Sequence, residues 1–117
     1  MEKKDPMTAQ PQRSERWIEA CDAGEIEPED VIRFDHQGRE YAIYRSPSDE
    51  YFATDGICTH EHAHLADGLV LDYIIECPKH NGRFDYRTGR AKGAPVCVDL
   101  KTYKVKVEGG KVFVAID

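Results

Sequence analysis

Short apolar runs separated by turn residues occupy the chain from Arg16 onward, a pattern typical of a domain built from β-strands. Residues 16–21 are predicted to form the first strand, with Trp17 in the core. Further strands are predicted at residues 31–34, 39–44 and 51–53. The loop between the strands at 31–34 and 39–44 ends in Gly38, which predicts a β-hairpin.

The C-terminal part of the chain alternates between apolar and polar positions. Tyr103, Val105 and Val107 alternate with lysines in residues 102–107, which is the two-residue period of a half-buried strand. The glycines at 109–110 predict a turn into a last strand at residues 112–116. Together these patterns predict an all-β fold.

Between Cys58 and Pro95 the apolar runs become brief, and glycine-containing loops separate them. Residues 69–71 and 74–75 are compatible with one small hairpin. This stretch carries too little apolar area to fold unaided. We therefore expect a bound metal centre to organise it.

The composition fits a single globular domain. The chain has 117 residues, of which 40% are hydrophobic and 32% are charged. Its net charge of −6 argues against nucleic acid and anionic membrane surfaces as partners, whereas a protein with a basic docking patch is compatible. No apolar run has the length needed to span a bilayer.

Residues 1–15 are predicted to form a flexible polar tail, and they contain no hydrophobic segment of a secretory signal. Met1 and Met7 are both possible native start residues. The lack of an export signal predicts a cytoplasmic location. Cysteines in that reducing compartment serve metal binding or catalysis more often than disulfides.

Cysteine and histidine residues are concentrated at two places. Residues 58–60 read Cys-x-His, and after sixteen further residues the stretch 77–80 reads Cys-x-x-His. Thiolates and imidazoles grouped in this way usually hold a metal. One tetrahedral zinc could use all four side chains. Alternatively, both thiolates bind one iron and both imidazoles bind a second, with two sulfides as bridges.

The two pairs and their flanking residues resemble the Rieske [2Fe–2S] binding pattern. Asn-Gly-Arg-Phe-Asp at 81–85 leads to Thr88-Gly89 after the second pair, and Gly93-Ala94-Pro95 stands where that family has a proline loop covering the cluster. The resemblance extends from about Trp17 to the C-terminus. It implies an all-β Rieske fold, an antiparallel β-sandwich or barrel base domain with a small inserted cluster-binding lobe.

The resemblance also implies the cofactor and its ligands. One Rieske-type [2Fe–2S] cluster is expected, held by Cys58, His60, Cys77 and His80. Residues 16–117 are expected to form one domain, with the cluster-binding lobe at about 57–85. Two neutral imidazoles in place of two thiolates make the cluster less negative, which raises its potential above that of plant-type ferredoxins.

High-potential members of this family carry an extra cysteine in each cluster loop, forming a disulfide, and place a Ser and a Tyr hydroxyl near the cluster sulfurs. The corresponding residues here are Ala63, Lys79, Gly82 and Phe84, which cannot supply these features. Hydrogen bonds to sulfur stabilise the reduced state, so their absence lowers the potential. The expected potential is roughly −150 mV, at the low end of the Rieske range.

A low potential implies a ferredoxin that carries electrons from a flavin-containing reductase to a terminal oxygenase, as in aromatic-ring-hydroxylating systems. The chain has no histidine after His80, so it lacks ligands for the mononuclear iron of an oxygenase subunit. A monomeric electron carrier that is not itself an enzyme is therefore expected. A structural zinc-binding interaction module and a tightly bound small subunit of an oxidoreductase are the alternatives.

The remaining histidines and cysteines are expected to have structural or surface roles. His36 and His62 are predicted to be exposed in loops, and His64 to make a polar contact beneath the cluster loop. A role for His62 or His64 in tuning the cluster or contacting a partner is the alternative. Cys21 and Cys97 have no metal-like neighbours and are predicted to be buried.

Overall fold

The computed structural model describes residues 16–60, 62–79, 81–93 and 98–116. Eleven strands and two single 3₁₀ turns, Ala23–Glu25 and Leu65–Asp67, lie in these ranges. The strands are β1 (Arg16–Asp22), β2 (Asp30–His36), β3 (Arg39–Arg45), β4 (Tyr51–Asp55), β5 (Leu69–Leu71), β6 (Ile74–Glu76), β7 (Arg83–Asp85), β8 (Arg90–Ala91), β9 (Thr102–Tyr103), β10 (Val105–Glu108) and β11 (Lys111–Ile116). The predicted all-β class is confirmed.

The strands form three antiparallel sheets. The first has the order β1-β11-β10, the second β2-β3-β4-β9 and the third β5-β6-β7-β8. The N- and C-terminal parts of the chain meet in the first sheet, because β1 pairs with β11. The third sheet is built entirely from the middle of the chain, which contains both Cys/His pairs.

Strand β3 of the second sheet is buried on both faces, and it separates two hydrophobic cores. Tyr41 and Ile43 point into a core shared with the first sheet, where they join Val112 and Val114. Ala42 and Tyr44 alternate with them and point into a core shared with the third sheet. This two-residue alternation makes the second sheet the middle layer of the molecule.

An aromatic contact fixes the third sheet on the middle layer. The rings of Tyr44 and Tyr86 stack with their centroids 4.5 Å apart and their planes inclined by 3°. The Tyr86 hydroxyl donates a 2.6 Å hydrogen bond to the carbonyl of Asp72, and the Tyr73 hydroxyl donates one of 2.7 Å to Glu50. Burial of Tyr44 and Tyr86 raises the pKa of both phenols, so they remain neutral hydrogen-bonding groups.

The prediction of a single strand at residues 102–107 is wrong, because two separate strands occupy this segment. The chain changes sheets at Lys104: β9 pairs with β4 in the second sheet, while β10 pairs with β11 in the first. The alternation therefore fails beyond the break. Val107 is exposed, and the Lys106 ammonium lies 4.6 Å from the centre of the Trp17 ring.

The prediction of a core position for Trp17 is also wrong. Its ring is half-buried beneath Lys106, whereas the next residue, Ile18, packs against the core. A shift in the β1–β11 register between Glu19 and Cys21 then turns Cys21 inward. Cys21 is buried, as predicted. Cys97 lies outside the described residues.

Within the described ranges, no helix has the length and apolar character needed to cross a bilayer.

Candidate metal centre

The first Cys/His pair lies in a loop whose two ends are closed by backbone pairing. We call residues 56–65 the first ligand loop. The Leu65 amide donates to the carbonyl of Gly56 at 2.9 Å, and the Cys58 amide donates to that of Ala63 at 3.0 Å. An isolated β-bridge joins Ile57 to His64 between these two contacts. The pairing places Thr59, His60 and His62 at the tip of the loop.

The second Cys/His pair lies in the turn between β6 and β7, and we call residues 77–82 the second ligand loop. The Cys77 amide donates a 2.6 Å hydrogen bond to the carbonyl of Gly82, which closes this loop at its base. The Lys79 amide donates to Cys77 Sγ at 3.4 Å, within the range for a sulfur acceptor. Such a bond stabilises negative charge on the sulfur, as a metal-bound thiolate requires.

The two loops place their cysteines in the same core. Cys58 is 4% exposed and Cys77 is 1% exposed, and both belong to the core between the second and third sheets. His60 is exposed at the tip of the first loop. His80 lies outside the described residues. Two buried sulfurs with an N–H donor at one of them form a donor set suited to iron–sulfur binding.

The segment after the predicted proline loop lies beside the first ligand loop. The Thr59 hydroxyl donates a 2.6 Å hydrogen bond to the carbonyl of Val98. Farther along, the Leu100 amide bonds to the carbonyl of Gly89 at 2.7 Å. Gly89 has a φ of +81°, and a Cβ there would lie 2.1 Å from Leu100 O, so only glycine fits. Ala94 and Pro95 themselves lie outside the described residues.

The four positions compared with high-potential relatives have no hydroxyl or thiol side chain. Ala63 and Phe84 are buried in the core that contains the two cysteines, Gly82 is buried, and Lys79 is exposed. The buried ring of Phe84 has no polar atom, so this side chain cannot donate a hydrogen bond. These surroundings agree with the interpretation of a low-potential centre.

The three described histidines outside the Cys/His pairs have different surroundings. His62 is exposed, as predicted. His36 is not a free loop residue: it ends β2, its ring stacks on Phe34 at 6.1 Å, and its Nε2 is buried without a hydrogen-bond partner. The prediction for His36 is therefore wrong, because the hairpin turn is only two residues long.

His64 makes the polar contact that was expected of it. Its Nδ1 lies 2.8 and 2.9 Å from the two carboxylate oxygens of Glu40 on β3. Glu40 was not among the residues singled out from the sequence. The two residues are 24 positions apart, and no local pattern connects them.

Three comparisons with known proteins extend this description. Residues 16–104 match the family model of the Rieske [2Fe–2S] domain. The chain is 46% identical over 101 residues to the ferredoxin component of a naphthalene 1,2-dioxygenase system from Pseudomonas aeruginosa, covering 86% of this chain and 96% of that relative.

Solved structures give the same relationship. A ferredoxin of Sphingomonas yanoikuyae B1 superposes with a TM-score of 0.81 and 34% identity, covering 87% of this chain and all of that one. A chain from a complex of reduced oxygenase and oxidised ferredoxin in carbazole 1,9a-dioxygenase superposes with a TM-score of 0.80 and 36% identity, covering 85% of this chain and 92% of that one.

Proposed function

Since this chain belongs to the Rieske [2Fe–2S] domain family and is a one-electron carrier with one such cluster, we propose that it passes electrons from a flavin-containing reductase to a terminal oxygenase. The family membership removes the zinc-binding module as an explanation of the Cys/His pairs. The carrier role also agrees with the expectation that the chain is not itself an enzyme.

The proposed ligands are Cys58 and Cys77 for one iron and His60 and His80 for the other. Two observations support the cysteines: both are buried in one core, and the Lys79 amide points at Cys77 Sγ. The exposure of His60 suits the other side of the cluster. When bound, the cluster supplies a centre that accepts and releases one electron.

The described residues provide an asymmetric environment for that chemistry. Buried Cys58 and Cys77 keep water from the sulfur side, while exposed His60 offers a short path between the site and a docked partner. Phe84 and Gly82 donate no side-chain hydrogen bond, so the negative charge of the reduced state receives less stabilisation than in high-potential relatives. The arrangement favours donation of the electron to an acceptor.

The partners are proposed from the relatives. The relative from Pseudomonas aeruginosa is named as a component of a dioxygenase system, and the carbazole dioxygenase structure is titled as a complex of ferredoxin with oxygenase. A flavin-containing reductase completes such a chain by supplying single electrons. We also place the protein in the cytoplasm, where the buried Cys21 thiol outside any disulfide fits a reducing environment.

Pre-reduced protein, separated from excess reductant, tests the proposed direction of transfer. Mixed with a terminal Rieske oxygenase of the naphthalene type and its aromatic substrate in air, it should reoxidise and yield hydroxylated product in proportion to the electrons delivered. A flavin-containing reductase with NADH should then re-reduce it. Reoxidation by air alone at the same rate, with no product, would contradict the proposal.

Replacement of single ligands tests the assignment of the site. The variants His60→Cys and His80→Cys should lose the cluster or yield a more thiolate-rich one with a lower potential, because a thiolate adds negative charge. Electron paramagnetic resonance of the reduced proteins measures this directly. His62→Cys, two positions from His60, serves as the control and should keep the wild-type spectrum. An unchanged spectrum and potential in either ligand variant would remove that residue from the site.

A further inference from the structure

Glu40 contacts both ends of the first ligand loop. Its backbone carbonyl accepts a 2.9 Å hydrogen bond from the amide of Gly56, where the loop begins. Its carboxylate meets Nδ1 of His64 at 2.8 and 2.9 Å, where the loop returns. We propose that Glu40 and His64 are positioning residues that hold Cys58 and His60 in place by fastening their loop to the middle sheet.

The fastening has a rigid base. Glu40 lies in β3, the strand that is buried on both faces and paired on both sides with β2 and β4. The Gly56–Leu65 and Ile57–His64 pairs connect the two fastened ends to each other, and the Cys58–Ala63 bond follows directly. A displacement of His64 is therefore transmitted through two backbone contacts to Cys58.

Gly56 supplies the space that this contact needs. A Cβ on Gly56 would lie 2.7 Å from Cγ of Glu40 and 3.0 Å from its carbonyl carbon and oxygen. Any larger residue would push the Glu40 side chain away from His64 or break the backbone hydrogen bond. Glycine at position 56 and glutamate at position 40 thus form one packing unit.

The Glu40 side of the contact is shielded from water, whereas the His64 side chain is 43% exposed. The Glu40 side chain is 10% exposed, and its other described side-chain neighbour, Arg33, lies farther away at 3.5 Å and also binds Asp35 at 3.0 Å. A carboxylate only accepts hydrogen bonds, so Nδ1 of His64 is the donor in this contact. Loss of the His64 ring would leave this mostly buried carboxylate with only the longer contact to Arg33, and an unsatisfied buried polar group is costly.

This inference rests on the proposed ligands Cys58 and His60, and it concerns cluster retention rather than partner proteins. The holoprotein is incubated with an iron chelator, and loss of visible absorbance is followed with time. His64→Ala and Glu40→Ala should each speed the loss by about tenfold, the effect of one lost hydrogen bond to a charged group. The double variant should be little faster than either single one, because both remove the same contact.

Two controls separate positioning from general destabilisation. His62→Ala removes an exposed histidine of the same loop and should release its cluster at the wild-type rate. Tyr51→Phe removes the 2.9 Å hydrogen bond to the carbonyl of Ala23 in the other core, so it should lower the melting temperature without speeding cluster loss. His64→Asn, which keeps an N–H near the position of Nδ1, should restore much of the retention.

The spectrum of the reduced cluster provides a readout that lowered stability alone does not change. If the loop positions a ligand, His64→Ala should show shifted g-values or broadened lines, and His64→Asn should restore the wild-type spectrum. Wild-type rates of cluster loss together with wild-type g-values in His64→Ala and Glu40→Ala would overturn the inference. The proposed electron delivery could still hold in that case, since no partner protein enters this experiment.

Discussion

Phe84 is the side chain whose replacement tests the basis of the low potential. The resemblance to the Rieske pattern matches its position with the tyrosine of high-potential members, and its ring is fully buried in the core that contains Cys58 and Cys77. Phe84→Tyr should raise the potential by about 40 mV, because one hydrogen bond of about 1 kcal/mol to the reduced centre corresponds to that shift for one electron.

The measurement for Phe84→Tyr is a redox titration of the loaded variant. Leu65→Met, a volume-conserving change in the same core without a hydroxyl, is the control and should leave the potential unchanged. An unaltered potential in Phe84→Tyr, with normal cluster content, would show that the missing hydroxyl is not what keeps the potential low.

Cys21 gives the molecule a pH-dependent stability at alkaline pH. Burial, assisted by the carboxylates of Glu25 and Asp22, raises the pKa of its thiol to about 11. Unfolding returns the pKa to about 8.5. As the pH rises, the unfolded chain therefore loses the Cys21 proton first. The contribution of this thiol to the free energy of unfolding is complete below about pH 8.5 and is lost as the pH rises toward 11.

Cys21→Ala should remove this contribution. Its urea midpoint should fall less between pH 8 and pH 11 than the wild-type midpoint does, since the alanine has no proton to lose. Denaturation curves of both proteins across that range provide the comparison, and other titrating groups cancel in the difference. Parallel curves would mean that the folded thiol titrates in its ordinary range.

The proposed ligands could be singled out from the sequence, but most of their neighbours could not. The spacing of Cys58 and Cys77 from their histidines gives the signal, and the structure adds that both cysteines are buried in one core. Glu40 gives no such signal, because it contacts His64 only when β3 and the first ligand loop meet in the fold. The prediction for Trp17 is wrong because the register of β1 on β11 shifts two residues later, which changes the side chains that face the core.

Strands that pair locally could be predicted, whereas changes of sheet could not. The hairpin of β2 and β3 and that of β10 and β11 are adjacent in sequence, and alternation with a glycine turn predicts both. The break at Lys104 leaves the apolar alternation intact in sequence. The break arises because each half of the segment pairs with a different strand: β9 pairs with β4, and β10 pairs with β11. These two partner strands are distant from each other along the chain.

The third sheet and the two ligand loops should depend on the cluster for their order. Their strands are two or three residues long. Metal binding at Cys58 and Cys77 would thus contribute directly to folding, as in other small metal-bound units. After iron removal, amides in the proposed lobe at about 57–85 should exchange with solvent much faster, while those in β1, β3 and β11 remain protected.

Hydrogen–deuterium exchange with and without the cluster measures this difference. The paired strands β1 and β11 of the first sheet provide the internal control, because their core contains neither of the cysteines that are proposed as ligands. If the amides of both ligand loops were equally protected from exchange in the apo and loaded proteins, the order of these loops would not depend on the cluster. Loss of protection throughout the chain would instead mean that the lobe and the base unfold together.

The molecule as a whole divides stability and chemistry between its two cores. One core lies between the first and second sheets and contains no proposed ligand, whereas the other includes both cysteines that are proposed as ligands. β3 connects them, since its alternate residues enter both. The pairing of β1 with β11 therefore closes the core that lacks proposed ligands.

A redox titration of the purified protein, followed by electron paramagnetic resonance, tests the carrier role directly. The protein should take up one electron per chain, give a Rieske-type signal on reduction and have a midpoint potential of roughly −150 mV. A potential well above zero would contradict the low-potential assignment and with it delivery to an oxygenase. Failure to take up an electron, with zinc in place of iron, would contradict the carrier role itself.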